Sequence, residues 1–241
     1  MSVTKGSSKI ISDTELDRKK SQNIWQLKGP MLERQIRRAQ IVRKSLKQGN
    51  AKNVLDIGCA EGYTTKFISE GCNIVVGIEL NFQSLRIAKN MLKNVEFINA
   101  SIEYLPFRAE CFDTVCILEV LEHLPTKVQR NGLNESERLL QSNGSIMISV
   151  PFKEQVIQTT CIHCNKITPL YGHLHSLDVE KISSLVPPQF KIVESYHLPN
   201  VQILSCAKIF KPLPLAIWSK INELLGLYKK GYWIVIKYQR V

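Results

Sequence analysis

The chain has 241 residues, 44% hydrophobic and 22% charged, which suits one α/β domain with decorations and a sizeable core. The opening residues MSVTKGSSKIISD lack the apolar stretch of a signal peptide, and no run of about 18 apolar residues occurs, so neither secretion nor a transmembrane helix is expected. The net charge of +11 divides unevenly, +8 over residues 1–50, −3 over 51–150 and +6 over 151–241. Such basic flanks serve either as a solvated surface or as an attraction for nucleic acid, a phosphorylated metabolite or a membrane surface. Seven cysteines, an odd number without a secretory signal, are expected as reduced thiols in the cytoplasm.

Residues 1–28 are polar, with no strong periodicity, and read as a loose segment. Gly29-Pro30 opens a helix, because proline fits a first helical turn. Leu32, Ile36, Ala39, Val42 and Leu46 form its apolar stripe, with most of the arginines and lysines off that stripe, and Gly49-Asn50 ends it. Residues 1–50 are therefore assigned as a basic helical extension and 51–241 as the main domain. Strands are predicted at Asn53–Ile57, Asn73–Ile78, Val95–Asn99, Phe112–Leu118, Ser145–Val150, Phe190–Tyr196 and Tyr232–Tyr238. Helices are predicted at Tyr63–Ser69, Phe82–Leu92, Lys127–Gln141 and Ser176–Leu185. The alternation predicts a Rossmann-like α/β fold: a seven-stranded, mostly parallel sheet with helices on both faces. The last two strands lack a βαβ spacing, so one of them should run antiparallel.

The strongest motif is VLDIGCAEGY at 54–63. A strand reaches Asp56, and a turn with Gly58 and Gly62 leads into a helix, placing a ligand site at the carboxyl end of the strand. Glu79 ends the next strand, where a carboxylate can accept ribose hydroxyls. The order Gly58-Cys59-Ala60-Glu61-Gly62 does not fit G-x-G-x-x-G. Asp56 and Glu61 also disfavour a pyrophosphate, yet suit a sulfonium and an ammonium group. These residues favour S-adenosylmethionine over a nicotinamide cofactor.

On these residues the chain resembles the class I S-adenosylmethionine-dependent methyltransferase family, in particular its small-molecule O-methyltransferase branch, over roughly residues 50–200. The resemblance places the cofactor on Asp56, Gly58, Cys59, Ala60, Gly62 and Tyr63, with Ala60 where a glycine is usual. It puts the ribose on Glu79, with Leu80 beside it, and the adenine near Ser101 and Ile102, with serine where aspartate is common. Leu118, in FDTVCILEVLEHLP, follows from the fourth-strand motif.

Just beyond that strand lie Glu119, Glu122 and His123. In a helix their spacing would share one face. Three roles stay open for them: structure, a general base for a hydroxyl acceptor, or ligands for Mg²⁺ or Mn²⁺. The E-x-x-E-H pattern resembles the metal motif of RNA 3′-terminal 2′-O-methyltransferases, where a distant second histidine joins, a part His175 could take here. Ubiquinone-pathway O-methyltransferases carry a similar stretch.

An insertion at 153–175 contains CIHCNKITPLYGHLH. Cys161 and Cys164 have C-x2-C spacing, and with His173 and His175 they form a candidate structural Zn²⁺ site; a redox pair and a metal-free knuckle are the alternatives. A related insertion resembles one in methyltransferases linked to glycan pathways, which implies a glycan acceptor. A second insertion, 199–230, carries a helical apolar face with Ile217, Ile221, Leu224 and Tyr228, flanked by Trp218 and Leu225. It reads as a helix packed on the sheet, with a lid, a dimer surface or a peripheral membrane contact as alternatives. The expected activity is O-methylation of a small molecule or glycan. A metal-assisted RNA 2′-O-methyltransferase and a non-catalytic cofactor-binding adaptor are the alternatives, and the oligomeric state is unassigned. Against RNA stand the lack of a separate RNA-binding motif, of an N-P-P-Y-like loop and of a Pro-Cys nucleophile.

Overall fold

The computed structural model describes residues 24–28, 30–199, 213–224 and 231–241. Five parallel strands form its centre: β1 Asn53–Ile57, β2 Ile74–Glu79, β3 Glu96–Asn99, β4 Phe112–Leu118 and β5 Leu140–Pro151. β6 Gln158–Thr160 and β7 Ile167–Pro169 make a separate two-stranded ribbon. With β8 Phe190–Pro199 and β9 Gly231–Arg240 the main sheet has seven strands in the order β3-β2-β1-β4-β5-β9-β8. β9 lies antiparallel to both of its neighbours, so it is the reversed strand that the missing βαβ spacing implies.

Six α-helices are described: α1 Pro30–Gln48, α2 Tyr63–Ser69, α3 Phe82–Met91, α4 Thr126–Leu139, α5 Val179–Leu185 and α6 Leu215–Leu224. Successive strand residues face opposite sides of the sheet. On one side Leu55, Ile57, Val115, Ile117, Ile146 and Ile148 pack with Leu133 and Leu139 of α4 and Ile182 of α5. On the other, Val54, Val75, Cys116, Met147 and Val235 meet Ile41, Val42 and Leu46 of α1, Ile68 of α2 and Leu85 of α3. Helices on both faces explain why the central strands read as continuous apolar runs.

Some boundaries move for local reasons. α5 starts at Val179, not Ser176, because the Asp178 side chain accepts the Lys181 amide at 3.0 Å and caps the helix there. β5 begins at Leu140, directly after α4, five residues before the predicted strand.

The arginines of α1 lie off its aliphatic stripe, yet Arg34, Arg37 and Arg38 are buried. Arg34 lies 4.5 Å from the Tyr232 ring centroid, Arg37 5.2 Å from Trp218 and Arg38 4.6 Å from Trp233. Guanidinium planes stack on aromatic faces, a partnership that hydrophobic periodicity does not register. Three of the positive charges on this flank thus belong to the interior.

Among the described side chains of α6, Trp218 is buried and Ile217 is 49% exposed, so the helix meets α1 through Trp218. Arg37 secures it by donating to the Leu213 carbonyl at 3.0 Å. Leu225 and Tyr228 of the predicted apolar face lie outside the described residues, as do residues 200–212 of the second insertion.

Gly132 occupies the middle of α4, where helix propensity alone favours alanine by about 1 kcal/mol. A Cβ there would stand 2.5 Å from Ile102 Cγ1. Gly132→Ala is therefore expected to destabilise the fold by about 1–2 kcal/mol in urea titration, because overpacking outweighs propensity. A gain in stability would show that Ile102 can move aside.

Candidate active site

β1 ends at Ile57, and Gly58-Cys59-Ala60-Glu61-Gly62 turns the chain into α2. From β1 the sheet order runs to β2 and β3 on one side and to β4 and β5 on the other. Crevices at such a switch point, outside the carboxyl ends of the strands, are where α/β sheets bind ligands. Gly58 has φ 73°, and a Cβ on it would lie 2.3 Å from Val120 Cγ2. Both facts require glycine, and the second ties this loop to the segment after β4. Ala60 has φ 47°, a left-handed conformation that costs a side-chain-bearing residue about 1 kcal/mol.

The loop is braced from β2. The Gly58 and Cys59 amides donate to the Ile78 carbonyl at 2.8 and 3.0 Å. The Glu79 carboxylate accepts the Ala60 amide at 3.0 Å and the Asn81 amide at 2.7 Å. A carboxylate has about four lone-pair positions, so these two bonds leave capacity for hydroxyl groups. Leu80, beside Glu79, is 72% exposed. Ser101 accepts the Glu103 amide at 3.3 Å, whereas Ile102 is buried and its space is taken up by α4 at Gly132. Burial pushes the Cys59 thiol up, keeping it protonated.

Asp56 is buried at the floor of the crevice and accepts the Thr65 hydroxyl at 2.6 Å. Burial pushes its pKa up to about 7, against the Thr65 hydrogen bond and Arg38, which hold it down. A carboxyl raised in this way loses a proton when a cation arrives. Cofactor affinity is therefore expected to weaken about fivefold from pH 7 to pH 6, since binding must then expel that proton. Calorimetry in two buffers of different ionisation enthalpy reads the proton release. Asp56→Asn should flatten the dependence; an unchanged slope in the variant would assign it to another group.

A cavity of about 260 Å³ opens above the loop between Asp56, Gly58, Tyr63, Leu118 and Glu119, with Ile24 and Arg38 on its wall. The segment before α1 closes one side. The Ile24 amide donates to the Glu61 carboxylate at 2.9 Å, the Trp25 indole to the Glu61 carbonyl at 2.8 Å, and the Trp25 ring meets Tyr63 edge-on at 5.2 Å. Sequence reasoning missed this cover and Arg38; the only signal was a lone tryptophan in a polar stretch. A larger hollow of about 750 Å³ sits at the opposite, amino end of β1 and β4. Its Asp113 is committed to the Lys52 and Asn53 amides, both at 2.7 Å, and it lies away from the carboxyl ends of the strands where such sheets bind ligands.

The chain after β4 is kinked rather than α-helical. Glu119 has φ 59°, and a single 3₁₀ turn covers Leu121–His123. Glu119 accepts the Ser149 hydroxyl at 2.7 Å and pairs with Arg38 at 3.1 Å. Burial pushes its pKa up, opposed first by Arg38. Glu122 is 1% exposed, and neither of its carboxylate oxygens has a hydrogen-bond partner. Burial, followed by the charge of Glu119, pushes it up to about 9. His123 and His173 meet edge-on at 4.6 Å between ring centroids. Burial and His173 hold His123 below the ordinary imidazole range, so it is neutral at pH 7. His123 Nδ1 pairs with the Gly172 carbonyl at 3.2 Å and His173 Nδ1 with Glu154 at 2.5 Å. Ligand atoms of Glu122, His123 and His173 lie within 4.8 Å of one another.

The four-ligand zinc site of Cys161, Cys164, His173 and His175 is not assembled. The C-x2-C knuckle caps the β6–β7 ribbon, whereas Glu154 and His123 engage His173. The His175 amide is tied to the Glu122 carbonyl at 3.3 Å, and its buried Nε2 has no hydrogen-bond partner. Among the described residues no three-ligand group includes either cysteine. None of the described cysteines forms a disulfide.

The crevice fits an adenosyl amino acid: a buried acid beneath it, a carboxylate with spare lone pairs at its rim and a glycine turn closed against Val120. Residues 55–148 match a family model described as a methyltransferase domain. The chain carries a class I S-adenosylmethionine-dependent methyltransferase domain. This methyltransferase is 27% identical over 189 residues to an uncharacterized protein of Methanocaldococcus jannaschii, covering 76% of each chain. It is 27% identical over 152 residues to a probable S-adenosylmethionine-dependent methyltransferase of Mycobacterium tuberculosis, covering 63% of this chain and 53% of that protein. Its fold matches the N-methyltransferase NodS from Bradyrhizobium japonicum in complex with S-adenosyl-l-homocysteine at a TM-score of 0.61 and 17% identity, over 94% of this chain and 97% of that one. Among the described residues of the methyltransferase, no helix is long and apolar enough to cross a membrane.

Proposed function

We propose that the enzyme methylates a hydroxyl group of a small-molecule or glycan acceptor, with S-adenosylmethionine held by Asp56–Gly62 and Glu79. The observation that carries this reading is Glu122, sealed from solvent with both oxygens unpartnered and with His123 and His173 at ligand distance. A hydroxyl must lose its proton as it takes a methyl group, and because burial holds Glu122 protonated near neutral pH, this carboxyl would serve as a ligand to a metal ion rather than as a free base. Anchoring both rings through Nδ1, to Gly172 and to Glu154, leaves Nε2 of each as a lone pair, the arrangement typical of metal-binding histidines. One carboxylate and two imidazoles suit Mn²⁺ or Zn²⁺ better than Mg²⁺. Such an ion, when bound, would lower the pKa of the acceptor hydroxyl. Positioning of the acceptor in line with the methyl group supplies the rest of the acceleration. The hairpin carrying Cys161 and Cys164 follows β5 and leads into Gly172 and His173 of this cluster, which supports assigning it to the acceptor side.

The RNA reading rests on the basic flanks, and burial of Arg34, Arg37 and Arg38 weakens it. Methyl-labelled cofactor offered to fractionated cell extract tests the proposal. Label is expected in small-molecule or glycan fractions as a base-stable ether, lost after chelation and restored by Mn²⁺. Label in RNA would support the second reading. Transfer to an amine, or transfer indifferent to chelation, would contradict the metal-assisted mechanism.

A further inference from the structure

We propose that the β6–β7 hairpin is a lipid-surface contact that seats the protein on a bilayer carrying anionic headgroups. Six of the sixteen large apolar side chains exposed among the described residues lie between Ile157 and Leu174. Ile162, at the turn, is 85% exposed, and Ile167 is 77% exposed. Thr160 pairs with Ile167, and the Leu170 amide donates to the Ile157 carbonyl at 2.8 Å, so the ribbon register extends to Ile157 and Leu170. Alternate residues of a strand face opposite sides, which puts Ile157 on one face of the ribbon and Ile167 on the other. Both are exposed, so the body of the protein covers neither face there. A two-stranded ribbon of this size is marginally stable alone in water, and an apolar cluster on its surface marks a binding site.

Two features select a bilayer as the occupant. A folded partner covers one face of a ribbon, whereas lipid surrounds both faces and the turn. From residue 155 to residue 177 there is no Asp or Glu, and Lys166 stands at the turn next to Ile167. Apolar side chains with a cation at their edge and no carboxylate among them complement anionic headgroups. The Cys161 amide donates to the Lys166 carbonyl at 2.8 Å, which closes the turn. Tyr171 is exposed and brings the ring-and-hydroxyl side chain favoured at membrane interfaces. Just past the ribbon, the Gly172 carbonyl pairs with His123 Nδ1, and the Leu174 amide donates to the Glu122 carbonyl at 2.7 Å. Docking of the hairpin would therefore hold the Glu122, His123 and His173 cluster at headgroup level, in reach of an acceptor hydroxyl anchored in lipid. That last step rests on the acceptor-side reading; the lipid contact itself does not.

Co-sedimentation of the full chain with mixed phosphatidylcholine–phosphatidylglycerol vesicles, and with phosphatidylcholine vesicles alone, tests the contact. Wild-type protein is expected to bind the mixed vesicles more tightly, with a preference that shrinks in high salt. Ile162→Ser/Ile167→Ser should weaken binding to the mixed vesicles at least roughly 10-fold, since both side chains leave the apolar layer. Lys166→Gln should weaken it about fivefold and leave binding to phosphatidylcholine unchanged. Both variants change exposed side chains away from the cofactor crevice, so thermal unfolding and S-adenosylhomocysteine affinity are expected at wild-type values. Absence of binding to either vesicle, or binding to the mixed vesicles that survives Ile162→Ser/Ile167→Ser, would overturn the proposal. So would sedimentation equilibrium showing a wild-type dimer that the same double variant dissolves, a result that would assign the hairpin to a second copy of this chain. Vesicle binding is read without methyl transfer, so failure of the acceptor-side reading leaves this result standing.

Discussion

Replacing Gly58 with valine is expected to weaken S-adenosylhomocysteine binding by at least roughly 100-fold, about 3 kcal/mol. A β-branched residue at φ 73° is strained from the outset. Its Cβ would also start 2.3 Å from Val120 Cγ2, far inside van der Waals contact. Relief requires either Val120 or the loop to move. Val120 is joined to Glu119, which lines the cavity, and the loop is joined to Asp56 and to the Glu79 brace. Either movement disturbs a wall of the crevice, while only the rim of the core, at Val120 or Cys59, is touched. Thermal unfolding should therefore still show one cooperative transition, lowered by an overpacking cost of about 1–3 kcal/mol. Calorimetry with unchanged affinity would remove the glycine turn from the cofactor site.

The second large effect concerns Glu122. Glu122→Met is expected to slow methyl transfer by roughly 10²–10⁴, the several kcal/mol that loss of a Lewis-acid site costs, because it removes a ligand of the proposed metal ion. The same change should stabilise the fold by about 1–3 kcal/mol, because it removes two buried oxygens that have no partner and keeps the side-chain volume. Opposite signs for activity and stability are what a functional carboxylate predicts. A carboxylate kept for structure would lose stability on substitution, and turnover would follow only through unfolding. Single-turnover rates at saturating cofactor, together with urea titration, separate the two.

Much of the sheet was legible because its central strands are buried on both faces and read as apolar runs; β1, β4 and α2 fall on their predicted boundaries. The glycine turn and Glu79 were legible for the same local reason: a strand, a turn and a helix in sequence define the crevice without tertiary information. What escaped depends on contacts between distant segments. The arginines of α1 look like surface charges until Tyr232, Trp233 and Trp218 arrive from the far end of the chain. His173 sits closer in sequence to the C-x2-C knuckle than to Glu122, and spacing alone paired it with the cysteines; the fold pairs it with Glu154 and His123. Glu154 carried no signal of its own. The E-x-x-E-H segment kept its chemical interest but not its helical geometry, since Glu119 takes a left-handed conformation and a single 3₁₀ turn follows it.

A crystal structure with S-adenosylhomocysteine bears most directly on the central claim. The nucleoside should occupy the space between the 58–62 turn and Leu118, with its ribose hydroxyls on Glu79 and its amino acid part over Asp56. Density for the ligand anywhere else, with the turn and Glu79 as they stand here, would contradict the assignment of this crevice as the methyl-donor site.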